Sequence, residues 1–245
     1  MNTTTLSKMQ KMHLYGMYRA FKTNLESENQ PLQTADEIVA ELILSEWEDR
    51  QNRSIERQLK NAKFRYKAAI EDIFYDDTRN FDKNQMMRFA ECSFINKKEN
   101  IIITGSTGIG KSYIASAIGH QACSLGYRVM YFNTTKLFAK LKMAKADGSY
   151  MKEITKLERQ HLLILDDFGI QPFDAQSRSA LMEIIEDRHG KTSIIITSQV
   201  PVSKWYEVIG EKTVADAILD RIIHGAHRLE LIGESLRKKT PIIQE

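Results

Sequence analysis

The sequence is short of cysteine, of proline and of long apolar runs, and each shortage excludes something. Two cysteines, Cys92 and Cys123, stand alone in 245 residues. They are too few for a disulfide framework and lack the spacing of a metal site, which suits a reducing, cytoplasmic setting. Only four prolines interrupt the chain, and it carries no internal repeat and no low-complexity linker. No apolar stretch approaches the roughly 18–20 residues a membrane span needs, so no membrane partner is expected. The start, MNTTTLSKMQKMHLYGMYRAF, lacks the apolar core and small-residue cleavage site of a signal peptide. A strong excess of one charge is missing too. The formal net charge of +3 permits nucleic-acid binding without arguing for it.

What is present is an ordinary globular composition, 42% hydrophobic and 27% charged. The length fits one large domain, alone or with a small one. Leu6, Met9, His13, Leu14, Met17 and Phe21 recur at helical spacing. NQPLQ breaks that run, and Thr34 with Glu37 forms a capping box that opens a second helix. An apolar stripe of Ile38, Leu42, Trp47, Ile55 and Leu59 predicts that this helix continues to about Ala62. Its second half is basic. Arg50, Arg53, Arg57, Lys60, Lys63, Arg65 and Lys67 face Glu56 alone between residues 50 and 67. The first four share one helix face. A one-sign face suits a phosphate backbone, which makes Arg50, Arg53, Arg57, Lys60 and Lys63 candidate contacts to duplex DNA. The plainer alternative is a solvated helix face. Residues 64–99 read as connecting helices, with Asp82 as an N-cap. A boundary within 62–80 separates a small all-α N-terminal domain, taken as 1–68, from residues 69–245.

From residue 100 the texture changes. The apolar runs NIIITG, YRVMYFN, HLLILDD, TSIIITSQ and HRLELIG alternate with helical segments. Continuous β-branched runs of this kind suit buried parallel strands, giving an α/β fold with a parallel five-stranded sheet between helices.

Three strand ends carry chemistry. GSTGIGKS, residues 105–112, follows the strand IIIT and opens a helix, which is the context a phosphate-binding P-loop requires. Gly105, Ser106, Thr107, Gly108, Ile109, Gly110, Lys111 and Ser112, with Tyr113 following, are the candidate nucleotide contacts. Backbone N–H groups would cradle phosphates, Lys111 would reach the β- and γ-phosphates, and the Ser112 hydroxyl would ligate Mg²⁺. LLILDD ends in Asp166, a candidate Mg²⁺ ligand, and Asp167, placed to orient an attacking water. IIITSQ brings Thr197, Ser198 and Gln199 to the same edge, where one of them could touch the γ-phosphate or that water.

With these motifs in order, the chain resembles the AAA+ ATPases, and within them the IstB-like transposition helper proteins, relatives of bacterial helicase loaders and replication initiators. The likeness rests on GSTGIGKS, LLILDDFG, IITSQVPVSKWYEVIG, ADAILDRIIHGAHRLELIGESLRKK and the basic N-terminal helix. It implies an ATPase using ATP and Mg²⁺, with Asp166 as the Walker B metal residue and Asp167 standing where a glutamate is more usual. It places the sensor-1 role on Ser198 or Gln199. Arg221, in ILDRI, resembles an arginine finger inserted into a neighbouring subunit's site, and Arg237, in GESLRK, resembles a sensor-2 arginine. A ring or helical homo-oligomer on duplex DNA, cooperating with a transposase, is the implied setting. Only residues 200–245 follow Gln199 and they include a strand, so the helical lid common in AAA+ modules is expected to be truncated. Lys136, Lys140, Lys142 and Lys145 form a second basic group, read first as a solvated helix face, and Arg228 is read as a surface residue. A helicase loader and a small-molecule P-loop kinase are the competing readings.

Overall fold

A computed structural model describes residues 2–27, 33–75 and 79–236. The chain divides into two compact units, Met1–Arg57 and Gln58–Glu245. The division falls inside a long helix, upstream of the expected 68/69, because the segment after it joins the larger core through Ala62, Ala68, Ile70 and Ile73.

The smaller unit contains α1 (Asn2–Lys11), α2 (Tyr15–Glu26) and most of α3 (Ala35–Ala62). The capping box forms: Thr34 N–H donates to Glu37 Oε2 at 2.7 Å, and Glu37 N–H donates to Thr34 Oγ1 at 3.3 Å. The expected break at NQPLQ falls largely outside the described residues. The expected stripe is not a core seam throughout, since Trp47 is 59% exposed while its neighbour Glu46 is buried. The reason is a close crossing of α2 on α3. A Cβ on Gly16 would lie 2.2 Å from Ser45 O, and Glu46 Oε2 accepts Gly16 N–H at 2.8 Å, so the carboxylate caps the start of α2.

That buried acid also brings negative charge to the start of the basic face. Glu46 and Asp49, one turn upstream of the basic run, pair with Arg50 at 2.7 Å and with Arg53 at 2.6 Å. Arg19 pairs with Asp49 as well. Burial raises the Glu46 pKa, but hydrogen bonds from Arg50, Met17 and Gly16 outweigh it and hold the carboxyl below its ordinary value. Arg57, Lys60 and Lys63 are exposed and form no ion pair with another described residue.

In the larger unit, α4 (Lys83–Ala90) starts at Asp82, whose side chain accepts Asn84 N–H as an N-cap. After α5 (Ser93–Lys97) come β1 (Ile101–Gly105), α6 (Lys111–Ser124), β2 (Val129–Asn133), α7 (Thr134–Ala146), α8 (Tyr150–Glu158) and β3 (Leu162–Phe168). The chain continues through α9 (Ala175–Arg188), β4 (Ser193–Ser198), α10 (Trp205–Ile209), α11 (Lys212–Ile223) and β5 (His227–Leu231). The five strands are parallel, in the order β2-β3-β4-β1-β5. Successive residues on a strand face opposite sides. Ile101, Ile103 and Ile164 therefore join one core layer with α6, and Ile102, Leu163 and Leu165 join the other with α7, α9 and α11. Five residues beyond β5 are described, and no helical lid occurs among them. Among the described residues, no helix is long and apolar enough to cross a membrane.

The lysines of α7 behave as surface residues: Lys140 pairs with Glu153, Lys142 with Asp174 at 3.7 Å, and Lys145 lies 4.6 Å from the centre of the Tyr150 ring. Arg228 is exposed on the edge strand β5.

Candidate active site

The P-loop is held from three sides. Gly105 ends β1 so close to β5 that a Cβ there would lie 2.5 Å from Leu231 O. Gly110, with φ 101°, turns the chain into α6 in a conformation that glycine adopts without strain. Between them the Ile109 side chain drops into the core, while its carbonyl accepts from buried Arg79, whose other arm donates to Phe74 O at 2.9 Å. The segment after β5 closes over the loop: Ser106 Oγ donates to Gly233 O at 3.4 Å, and Leu236 N–H to Gly108 O at 3.0 Å. Lys111 is nearly buried, with Nζ 2.8 Å from both Gly105 O and Ser106 O.

Asp166 and Asp167 stand at the end of β3, on the neighbouring part of the same sheet edge. In a regular strand they would point to opposite faces. Between β3 and β4 the register advances from Leu165↔Ile196 to Phe168↔Ser198, one extra residue on β3. This bulge, with Asp167 at φ 58°, re-aims the second acid. Asp166 is fully buried. Its Oδ1 accepts from Ser112 Oγ at 2.7 Å and from Thr197 Oγ1, and its Oδ2 accepts from the Tyr131 hydroxyl. Burial, together with the neighbouring carboxylate, pushes the Tyr131 pKa well up, so the phenol stays a donor. Asp167 is partly exposed, and its Oδ2 accepts from Asn133 Nδ2 at 2.9 Å.

These groups meet around a cavity of ≈390 Å³. Of the residues expected there, Thr107, Gly108, Gly110, Lys111, Ser112, Tyr113, Asp167 and Gln199 line it, and Asp166 lies beneath Ser112. Gln199 Oε1 accepts from Thr107 Oγ1 at 2.6 Å, whereas Ser198 is turned away. Its buried hydroxyl donates to Phe168 O at 2.7 Å and accepts from Val200 N–H, which fixes the turn rather than facing the cavity. Arg221 is not brought to this site. Its carbonyl lies beside Asn100, the residue before β1, at the opposite edge of the sheet, and its Nε pairs with Glu186 at 2.8 Å. Arg237 lies outside the described residues.

Three residues in the site, Tyr131, Arg79 and Arg65, have no motif to announce them. Tyr131 and the strand-end Thr197 fill out the shell of Asp166, and Arg79 anchors the P-loop. Arg65 lines the cavity and contacts both acids, although the sequence presents it only as one more charge in a basic run. The aromatic flanks in Phe64-Arg65-Tyr66 are the one local hint.

The family described as IstB-like ATP binding protein matches residues 7–242. The chain belongs to that family. This IstB-like chain is 42% identical over 234 residues to a putative insertion sequence ATP-binding protein, y4pL, of Sinorhizobium fredii, covering 96% of each. It is 31% identical over 203 residues to the IS21 putative ATP-binding protein of Pseudomonas aeruginosa, covering 83% of this chain and 77% of that one. Among solved structures it is similar in fold to DnaI, with TM-score 0.56 and 23% identity over 72% of this chain and 94% of that chain. It is similarly close to the DnaC helicase loader, with TM-score 0.56 and 20% identity over 68% and 98%. The IstB-like chain is thus an ATP-binding P-loop protein of the AAA+ fold, related to ATPases.

Proposed function

We propose that this IstB-like protein assembles on duplex DNA in an ATP-dependent way, hydrolyses ATP at the contacts between its subunits and cooperates with a transposase in selecting or remodelling target DNA. The observation that carries the reading is the contact of Ser112 with Asp166 at the foot of the P-loop, with Asp167 presented beside it on the β3 bulge.

The Ser112 hydroxyl and an Asp166 carboxylate oxygen lie 2.7 Å apart, and such paired hard oxygens suit Mg²⁺, which takes one or two protein ligands beside phosphate and water. These two residues would hold the ion, which when bound supplies charge neutralisation at the β- and γ-phosphates. Lys111 turns its ammonium from the loop carbonyls to the same phosphates, and the loop N–H groups fix their position. Asp167 orients a water in line with the γ-phosphate and takes its proton as the β–γ bridging bond breaks. Gln199, beside Thr107 at the cavity, fits the sensor-1 role better than Ser198, whose hydroxyl is committed to the turn. Arg221 serves a neighbouring subunit's site, since it is remote from its own, and Arg237 takes the sensor-2 role that its motif implies. Arg57, Lys60 and Lys63, exposed and without described ion pairs, are the foremost DNA contacts, with Arg50 and Arg53 joining at the cost of their pairs with Glu46 and Asp49.

Sedimentation of the full chain with a mixed-sequence DNA duplex, with and without a non-hydrolysable ATP analogue, tests this. Large complexes are expected only when both are present, and they should dissociate steeply with added salt. A sedimentation coefficient unchanged by nucleotide and DNA would overturn the reading.

A further inference from the structure

Arg65 takes no part in the chemistry described above, yet it is the described residue outside the P-loop whose cation reaches both site acids. Its Nη1 lies 3.3 Å from Asp166 Oδ2 and 3.2 Å from Asp167 Oδ2. The segment that carries it is docked. Phe64 packs so tightly on α6 that a Cβ on Gly119 would lie 2.4 Å from its ring, and its ring centre is 4.4 Å from that of His120. On the other side, Tyr66 stands 6.1 Å from Tyr113, ring centre to ring centre, and 5.6 Å from the Arg65 guanidinium. Arg65 is therefore presented to the acids by two anchored neighbours, three residues past the end of α3.

The coordination of Asp166 makes this contact consequential. Ser112 and Thr197 occupy one carboxylate oxygen, while Tyr131 and Arg65 occupy the other. A carboxylate offers about four lone-pair sites, so all of them are in use. A divalent cation held by Ser112 and Asp166 has to displace some of these contacts, and it repels a guanidinium bonded to the same carboxylate. Hydroxyls can rotate and stay, but a fixed cation cannot share the site on equal terms. The polyphosphate that accompanies the metal offers the guanidinium an alternative partner within the same cavity, which Arg65 lines.

We infer that Arg65 is a resident counter-ion of the Asp166–Asp167 pair that competes with Mg²⁺ for it, so that binding of the metal–nucleotide moves the guanidinium from the acids to the phosphates. Arg65 is thus a positioning residue that ties occupancy of the site to residues 63–66, directly after the basic end of α3. The inference rests on reading Asp166 as the metal-holding residue.

The test is equilibrium binding of a non-hydrolysable ATP analogue across a Mg²⁺ series starting from EDTA, with wild type, Arg65→Ala, Arg65→Lys and Asp166→Asn. Arg65→Ala should bind the metal-free analogue roughly three- to tenfold more weakly and reach half-maximal tightening at a Mg²⁺ concentration lower by a similar factor, the scale of one partly screened charge contact. Arg65→Lys should fall between the two, because an ammonium does not span both carboxylates. A Mg²⁺ midpoint identical in wild type and Arg65→Ala overturns the inference. So does a uniform loss of affinity at every Mg²⁺ concentration, which is what a merely structural role would give. Asp166→Asn separates the two readings. If it abolishes the Mg²⁺ dependence while Arg65→Ala leaves the midpoint unmoved, only the Arg65 inference fails. If it keeps the dependence, the metal assignment fails. Should Arg65→Ala melt below the assay temperature, Arg65→Lys carries the same comparison.

Discussion

At one edge of the parallel sheet, Arg65 lies against two acids in an open cavity, with its side chain 42% exposed. At the other edge, Arg188 is 1% exposed and donates to the carbonyl oxygens of Leu157, Gln160 and Ser193. The difference follows from how the helices run. Helices that cross over between parallel strands begin at the carboxyl ends of the strands and finish at their amino ends. Unpaired N–H groups thus gather at the P-loop edge, where α6 starts, and unpaired carbonyls at the opposite edge, where α8 and α9 stop. An arginine at the second edge is absorbed by helix ends. Burial brings the Arg188 pKa down to about 10, still a cation at neutral pH. An arginine at the first edge finds two carboxylates beside an open cavity. Arg221 belongs by position to the second edge and by exposure to neither, since it is half-buried and rests on Glu186 and Ala217 O. The lesson is that an arginine's task here is read from what accepts its protons and how easily that partner lets go.

Three experiments press on this contrast, in order of decreasing effect. Arg221→Ala should lower ATP turnover by about 10³–10⁵-fold with nucleotide affinity intact, because an arginine donated between subunits acts on the transition state. Mixing it with Lys111→Ala should restore part of the activity, measured as phosphate release. A drop in melting temperature without loss of turnover would instead class Arg221 with Arg188. Arg188→Met should cost on the order of 3 kcal/mol of unfolding free energy, because three carbonyls lose their donor, while ATP affinity in a fluorescence titration stays the same. Last, Cys92 and Cys123 are fully buried and pushed up to about 12 by burial. A thiol reagent should leave both untouched in the native protein and titrate two groups only on denaturation. Reaction in the native state would mean that the α6 side of the core opens more readily than its packing implies.

The sheet was legible because its signal is local: each strand is a continuous apolar run, and GSTGIGKS names its own strand, turn and helix. Asp166, Ser112 and Lys111 were legible for the same reason. The Asp166 shell was less so: Tyr131 looks like an ordinary strand residue, and Thr197, a candidate for the γ-phosphate or the attacking water, meets Asp166 only when β3 and β4 are laid side by side. Arg65 is one of seven cations between residues 50 and 67 and nothing in the sequence but its aromatic flanks sets it apart from the others, while Glu46 and Asp49 lie just before that stretch. Trp47 misled through periodicity, which marks the apolar positions of a helix without saying whether a partner covers them. Ser198 and Gln199 read alike at a strand end, and only the folded chain distinguishes them, with Gln199 bonded to Thr107 at the cavity and Ser198 bonded to Phe168 O.

The left-handed backbone at residue 167 bears on which acid can stand there. Aspartate is among the few side chains found in that conformation with any frequency, since its short polar group can bond locally, whereas glutamate gains no such relief. The aspartate of this chain therefore goes together with its kinked strand: the left-handed backbone that re-aims the side chain is one that this short acid tolerates and a longer one would strain.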